Sequence, residues 1–251
     1  MNPVHDQRLD ERHIGAPAEL VNFRDVGGLQ AATGTVRPAV LCRSAAPAAL
    51  TEAGRALLLG GGISLVADLR SRREADAGPP APHPVTVRLP LLDGAAQSMT
   101  DIPSLDDLYA GLLATAGPTF ARVARLVADT EDGAVLVHCT AGKDRTGLAV
   151  ALVLEAVGVD RGEIVADYAL SETRLRGAWT DRMLASVRAM GVEITPGIAS
   201  LISGSPAPVM ERTLDLLDTR YGGAVGYLTA HGLDEDALAR LRGRLLAPAA
   251  S

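Results

Sequence analysis

Short apolar runs alternate along the chain with longer stretches whose apolar residues recur at helical spacing. The sharpest run, Val135-Leu136-Val137, predicts a buried strand ending at His138. A turn containing Gly142 follows, and then an apolar helical pattern from about Asp144 to Val157. Upstream, Val21–Leu29 and Gly34–Arg37 read as a hairpin with Gly27-Gly28 at a turn or bulge. Ala39–Arg43, Ile63–Leu69 and Val85–Leu89 read as further strands. Thr51 opens a helix to about Leu59 that Gly60-Gly61-Gly62 stops, and Arg72–Ala77 forms a short helix before the proline-rich connection Gly78–Pro84.

Helical patterns cover Leu105–Leu113, Pro118–Asp129, Asp160 through Tyr168, Ser171–Met190 up to Gly191, Pro206–Thr219 and Asp234–Leu246. Ile198–Gly204 and Gly222–Ala230 are short and apolar enough to pack. Alternating strands and helices predict an α/β domain with a central, mostly parallel sheet of four or five strands. Met1–Pro17 is polar and reads as a flexible tail, leaving residues 18–251 as one domain. The pattern loosens over 91–117, where Asp93-Gly94, Gln97-Ser98 and Ile102-Pro103 read as loop; its place before the strand at Val135 suits a lid.

Composition narrows the class. With 24 Lys plus Arg against 30 Asp plus Glu, the net charge of −6 does not suit non-specific nucleic-acid binding, so any positive potential must be local. Two distant cysteines and five scattered histidines give neither a disulfide framework nor metal-ligand spacing, and no cofactor or metal is expected. The polar N-terminus has no signal-peptide core, and no stretch approaches the length of a membrane span. A cytoplasmic, reducing location suits a working thiol, with export lacking a conventional signal left open.

The candidate chemistry lies where the Val135 strand meets the Asp144 helix. Cys139, five residues, Arg145 and Thr146 can form a loop whose backbone N–H groups cradle an anion at a helix N-terminus. Thr140, Ala141, Gly142 and Lys143 supply that loop, and its positive field favours the Cys139 thiolate. Arg145 offers a planar fork to two phosphoryl oxygens, Thr146 can donate to the sulfur, and Lys143 adds a second cation. A nucleotide-binding P-loop is excluded, because Val137 and Asp144 stand where it needs Gly and Ser or Thr. Asp68 and Arg70 end the Ile63 strand and can face the same loop; a strand-end brace is the equal alternative for Asp68. Cys42 reads as a core thiol, or as a redox partner of Cys139 if the two strand ends are neighbours. The arginines at 174, 176, 182 and 188 read as a solvated face.

His138-Cys139-Thr140-Ala141-Gly142-Lys143-Asp144-Arg145-Thr146-Gly147 resembles the signature of the atypical bacterial tyrosine and phosphoinositide phosphatases. Asn22–Gly28, Arg43-Ser44, Asp68–Ser71 and Ile164–Tyr168 agree with the same family, from about residue 18 to 247. The resemblance implies a cysteine-phosphatase fold with a helical lid and hydrolysis of phosphotyrosine-type protein phosphoesters through a phosphocysteine. Phosphoserine, phosphothreonine and phosphoinositides are implied as further substrates. It also implies Cys139 as nucleophile, Arg145 as phosphate ligand and Asp144 as general acid, with Asp68 the runner-up and His138 in support. Trp179-Thr180-Asp181 follows the cysteine loop within a helical pattern and is not an acid loop. Thr140 departs from the family, which has an aromatic residue there. The competing readings are mainly phosphoinositide hydrolysis, a phosphate-binding pseudophosphatase and an arsenate reductase, the last needing Cys42 as its resolving thiol.

Overall fold

The structure is a computed structural model that describes residues 20–47, 50–78, 83, 85–92 and 104–248. The expected tail at 1–17 and the loop pairs at 93–94, 97–98 and 102–103 lie outside these residues.

The central sheet has five strands: β1 (Arg24–Asp25), β4 (Leu41–Ser44), β7 (Ala134–His138), β5 (Ile63–Asp68) and β6 (Thr86–Arg88), in that spatial order. β4, β7, β5 and β6 run parallel, and only the edge strand β1 is antiparallel, opposite β4. This is the predicted mostly parallel sheet, with β7 at its centre. Every residue of β7 is buried, as a strand covered on both faces must be.

Alternation along β7 sorts two cores. Val135, Val137 and Cys139 enter the larger one, with α3 (Leu105–Thr115), α4 (Gly117–Asp129), α5 (Asp144–Ala156) and the later helices. Ala134 and Leu136 enter a smaller one with Cys42, Phe23, Val66 and Leu58 of α1 (Glu52–Gly60). Burial of these aliphatic side chains, at about 1.5–3 kcal/mol each, dominates the fold's stability.

The N-terminal hairpin is a correction. Of the strand expected over Val21–Leu29 only a short central piece forms, and the hairpin is built by a second strand just beyond it, in another sheet. Arg24–Asp25 joins the central sheet, whereas β2 (Gln30–Ala31) pairs with β3 (Gly34–Val36) in a separate three-stranded sheet. Asp25 turns the chain between them, its Oδ1 accepting from Gly27 N at 2.8 Å and its Oδ2 from Ala39 N at 2.6 Å. The third strand, β8 (Leu246–Pro248), pairs with β3 and was not expected, because its residues continue an apolar helical pattern.

The helix expected over Ser171–Met190 is also two. α6 (Arg161–Leu175) ends before Arg176, Gly177 adopts φ 88°, and α7 (Ala178–Ala189) begins anew. α7 and α8 (Pro196–Ser203) contain no buried side chain, while α9 (Ala207–Tyr221), α10 (Gly223–Ala230) and α11 (Glu235–Leu245) each bury an apolar face. Arg176, Arg182 and Arg188 are exposed, and Arg174 reaches the Phe23 carbonyl at 3.3 Å.

The described part of the stretch expected as a lid is anchored in the core. α3 buries Leu105, Tyr109, Leu112 and Leu113 in the main core. That face is too apolar to lift into water at small cost.

Candidate active site

Parallel pairing brings the carboxyl ends of β4, β5 and β7 together, with Ser44 opposite His138 and His138 opposite Asp68. Cys139 leaves β7 at this edge and is 1% exposed. The loop Thr140–Lys143 then turns into α5, whose first residues are Asp144, Arg145 and Thr146. A surface cavity of about 800 Å³ opens at the opposite end of β7, between Gly133 and Arg244, and holds none of these residues.

The carbonyls of the loop are all engaged. Cys139 O lies 3.2 Å from His138 Nδ1, and Thr140 O accepts from Ala46 N at 3.1 Å. Asn22 Nδ2 donates to Ala141 O at 3.0 Å and Gly142 O at 3.1 Å. Arg43 Nη2 donates to Gly142 O at 2.9 Å and more weakly to Lys143 O at 3.4 Å. In a planar trans peptide the next N–H points away from the carbonyl. The N–H groups of Thr140 to Lys143 are thereby turned to the other side, and among the described residues they meet no acceptor. Four successive backbone donors without protein partners, on a loop buried but for Thr140, make a concavity suited to an anion.

Gly142 permits this shape. Its φ is 67°, and a Cβ there would lie 2.1 Å from Ser44 O. The loop crosses the end of β4 too closely for any side chain.

A buried ionic group holds the loop from behind. Asp167 accepts from Arg24 Nε at 2.7 Å and from Arg43 Nη1 at 2.5 Å, with all three side chains at most 3% exposed. Arg24 also donates to Asn22 Oδ1 at 2.6 Å and to Ser171 Oγ at 2.9 Å. Burial alone would raise the Asp167 carboxyl, but the two guanidiniums hold it down to about 2. One carboxylate against two guanidiniums leaves local positive charge behind the cradle of an acidic protein. Asn22, Arg24, Arg43 and Asp167 lie in stretches that carry the family resemblance, yet the sequence alone gave them no role. Their signal was charge inside segments otherwise patterned for burial.

Arg145 stands in the first turn of α5, 8% exposed. Its fork is held by Glu74 of α2 (Arg72–Asp76), through Nη1 to Oε2 at 2.6 Å and Nη2 to Oε1 at 2.8 Å. Thr140 Oγ1 donates to the same carboxylate at 2.5 Å. Burial disfavours the Arg145 charge, but hydrogen bonding to Glu74 and the negative groups around it raise its pKa above the usual arginine value. Glu74 is a fifth residue to which the sequence assigned no role.

The remaining predicted residues separate. Asp68 forms a bidentate pair with Arg70, Oδ1 to Nε at 3.0 Å and Oδ2 to Nη2 at 2.7 Å, and also caps the Arg70 N–H. Burial works against its charge, but these bonds hold its carboxyl below the ordinary range, so it braces the strand end as a fixed anion. His138 is fully buried, which lowers its pKa and keeps it neutral. Because a carbonyl only accepts, Nδ1 carries the proton toward Cys139 O, and Nε2 lies 3.7 Å from Asp68 Oδ1.

Lys143 is placed otherwise than expected. Its Nζ turns to the carbonyls of Leu201 at 2.9 Å and Gly204 at 2.7 Å, and lies 3.2 Å from Asp144 Oδ1. Only its backbone belongs to the cradle, and its ammonium ties the end of α8 to the loop. Thr146 Oγ1 is buried with no hydrogen-bond partner among the described residues, so its expected bond to the Cys139 sulfur is not formed. Asp144 is 21% exposed and receives a hydrogen bond from Tyr109 Oη at 2.8 Å.

Cys42 is not a redox partner. It is in register with Leu136, three residues before Cys139, and faces the smaller core. Three residues of strand separate the thiols by roughly 10 Å along the sheet, beyond the ~7 Å a disulfide spans. Burial also pushes the Cys42 thiol well up.

Comparison with known proteins agrees with this geometry. The family described as the tyrosine phosphatase family matches residues 17–247. The triple specificity protein phosphatase PtpB of Mycobacterium tuberculosis (strain ATCC 25618 / H37Rv) is 34% identical, over 90% of this chain and 96% of its own. A tyrosine-protein phosphatase of Nostoc commune is 35% identical, over 78% of this chain and 70% of its own.

Proposed function

The chain belongs to the tyrosine phosphatase family and is a cysteine-dependent protein-tyrosine phosphatase; from that premise we propose that Cys139 is its nucleophile, Arg145 its phosphate ligand and Asp144 its general acid. The observation that supports this most strongly is the set of four unpartnered N–H groups on Thr140 to Lys143, directly after Cys139 and before Arg145.

In the first step the Cys139 Sγ–phosphorus bond forms as the bond to the leaving oxygen breaks, and that oxygen takes the proton of Asp144. The charge on the equatorial oxygens is met by the loop N–H groups and by the α5 N-terminus. Arg145 keeps a second N–H on Nη1 for phosphate, while Glu74 fixes its plane and the second N–H of Nη2 goes to Thr140 Oγ1 at 3.3 Å. In the second step water attacks phosphorus, Asp144 takes its proton, and the sulfur leaves as thiolate. Asp68 is the weaker candidate for the acid, because both of its oxygens are committed to Arg70.

The substrate reading is phosphotyrosine on proteins, with phosphoserine, phosphothreonine and phosphoinositides as further substrates. The triple specificity in the name of the Mycobacterium tuberculosis relative supports that breadth. The placement of Lys143 Nζ on two carbonyls supports phosphotyrosine over multiply phosphorylated lipids as the main substrate, since this ammonium is turned away from the loop's anion site.

The test is acid-quench trapping of labelled phosphate on the enzyme during turnover. Wild type is expected to retain label and Cys139→Ser to retain none, with turnover lost but phosphate-ester binding kept. Steady-state activity of Cys139→Ser within about tenfold of wild type would exclude covalent catalysis by this residue.

A further inference from the structure

Asp144 is held by two helices that lie outside the cysteine loop. Tyr109 of α3 places its Oη 2.8 Å from Asp144 Oδ1, and Tyr168 of α6 places its Oη 2.7 Å from that of Tyr109. The two rings meet edge to face at 86°, with centroids 6.1 Å apart, and are at most 1% exposed.

The direction of the protons follows from valence. A carboxylate oxygen in its charged form only accepts, so the single proton of Tyr109 goes to Asp144. The proton between the two phenols therefore comes from Tyr168. Lys143 Nζ lies 3.2 Å from the same Oδ1 as an ion-pair contact, while its hydrogen bonds go to the Leu201 and Gly204 carbonyls. Oδ1 thus faces one hydrogen-bond donor and one cation. Oδ2 takes no hydrogen bond among the described residues. Burial and the neighbouring Asp144 charge raise the Tyr109 hydroxyl well above the ordinary phenol value, so it stays a donor throughout the working range.

We infer that Tyr109, backed by Tyr168, is a positioning residue for the phosphatase reaction: it fills Asp144 Oδ1, so that the acidic proton is carried on Oδ2. The inference rests on Asp144 being the general acid. With the proton confined to one oxygen, the carboxyl need not rotate before transfer. When Oδ2 gives its proton to the leaving oxygen, the carboxylate that remains is already hydrogen-bonded through Oδ1. The same Oδ2 then collects the proton of the attacking water. The consequence is selective, since an alkoxide must receive this proton, whereas the anion of an activated phenol departs without it.

The experiment is kcat/KM, which reports the first chemical step, across aryl phosphates of graded leaving-group acidity and a phosphoserine peptide. Wild type, Asp144→Asn, Tyr109→Phe, Tyr168→Phe and the double variant Asp144→Asn/Tyr109→Phe are compared, with melting temperature as the control for folding. Tyr109→Phe is expected to lose about tenfold on the phosphoserine peptide and about twofold on the most activated aryl phosphate, the rate equivalent of one hydrogen bond to a charged group. Tyr168→Phe should steepen the dependence in the same sense but less. In the Asp144→Asn background, Tyr109→Phe should add nothing to the slope.

A wild-type slope for folded Tyr109→Phe overturns the inference. So does an equal loss on every leaving group, or a loss that adds in full to that of Asp144→Asn; either marks a merely structural role. If Tyr109→Phe does not fold, Tyr168→Phe carries the same test. A wild-type slope for Asp144→Asn itself would instead remove Asp144 as the acid, and this inference with it.

Discussion

Glu74 joins a helix cap to the phosphate-binding arginine. Its carboxylate accepts from Nη1 and Nη2 of Arg145 at 2.6 and 2.8 Å and from the N–H and hydroxyl of Ser71, both at 2.8 Å. Ser71 is the N-cap of α2 and Glu74 its third residue, so a capping box that starts the helix also aims the carboxylate at the site. Burial would raise the Glu74 carboxyl, but Arg145, Thr140 and Ser71 hold it down to about 2. It is therefore a fixed anion, and its work is to lock the plane of the arginine fork.

Glu74→Gln keeps the shape but replaces one accepting oxygen with an NH2 group facing a guanidinium. The expected result is a loss of about tenfold in kcat/KM for phosphotyrosine peptide with little change in melting temperature, because partly exposed ion pairs add at most about 1 kcal/mol to stability. Unchanged kinetics would mean that Arg145 finds its productive geometry unaided.

Asp167 gives a prediction with a pH window. Its carboxyl is at about 2 in the folded chain against an ordinary 3.8, a depressed value. Its contribution is therefore complete above the ordinary value and is lost as pH falls through about 2. The difference corresponds to about 2 kcal/mol. Urea denaturation should show Asp167→Asn to be about 3–5 kcal/mol less stable near neutrality, since Arg24 and Arg43 are left buried without their counter-charge. The gap to wild type should narrow toward pH 2. A gap independent of pH would assign the loss to packing rather than to charge.

The centre of the site was legible because its signal is local. The apolar run before His138, the Gly142 turn and the apolar helix after it lie within about 20 residues, and the structure follows them closely. What holds the loop was not legible, because its partners are remote: Arg24 meets Asp167 across 143 positions and Glu74 meets Arg145 across 71. Periodicity also treats an arginine as a surface residue, whereas Arg43 is 1% exposed in the middle of a strand. Lys143 misled for the opposite reason. It neighbours the signature arginine in sequence, yet at the N-cap of α5 its side chain projects toward Leu201 and Gly204.

The two thiols should behave independently under oxidation. Cys42 lies in the smaller core and Cys139 ends the strand on the other face, so peroxide treatment followed by non-reducing peptide mapping should yield no Cys42–Cys139 disulfide. Cys42→Ala should leave the rate of peroxide inactivation at its wild-type value. Recovery of the cross-linked peptide pair from folded protein would show that the sheet edge opens far enough to bring the thiols together.

Gly142 tests whether the loop must pass this close to β4. Its φ of 67° strains any L-residue, and a Cβ would meet the Ser44 backbone carbonyl at 2.1 Å, a group fixed by strand pairing. Gly62 is the control: its φ is 84°, but nothing lies within 4 Å of its Cβ position. Both alanine variants should lose about 1–2 kcal/mol of stability from left-handed strain. Only Gly142→Ala must also push the loop off β4, which breaks the Asn22 and Arg43 bonds to its carbonyl and rotates the peptides whose N–H groups form the cradle. Its kcat/KM should fall by at least about 10²-fold, since displacements of about 1 Å at a positioned site cost that much. Gly62→Ala should keep wild-type kinetics. If the two variants lose activity alike, the close crossing at Ser44 is not what shapes the phosphate cradle.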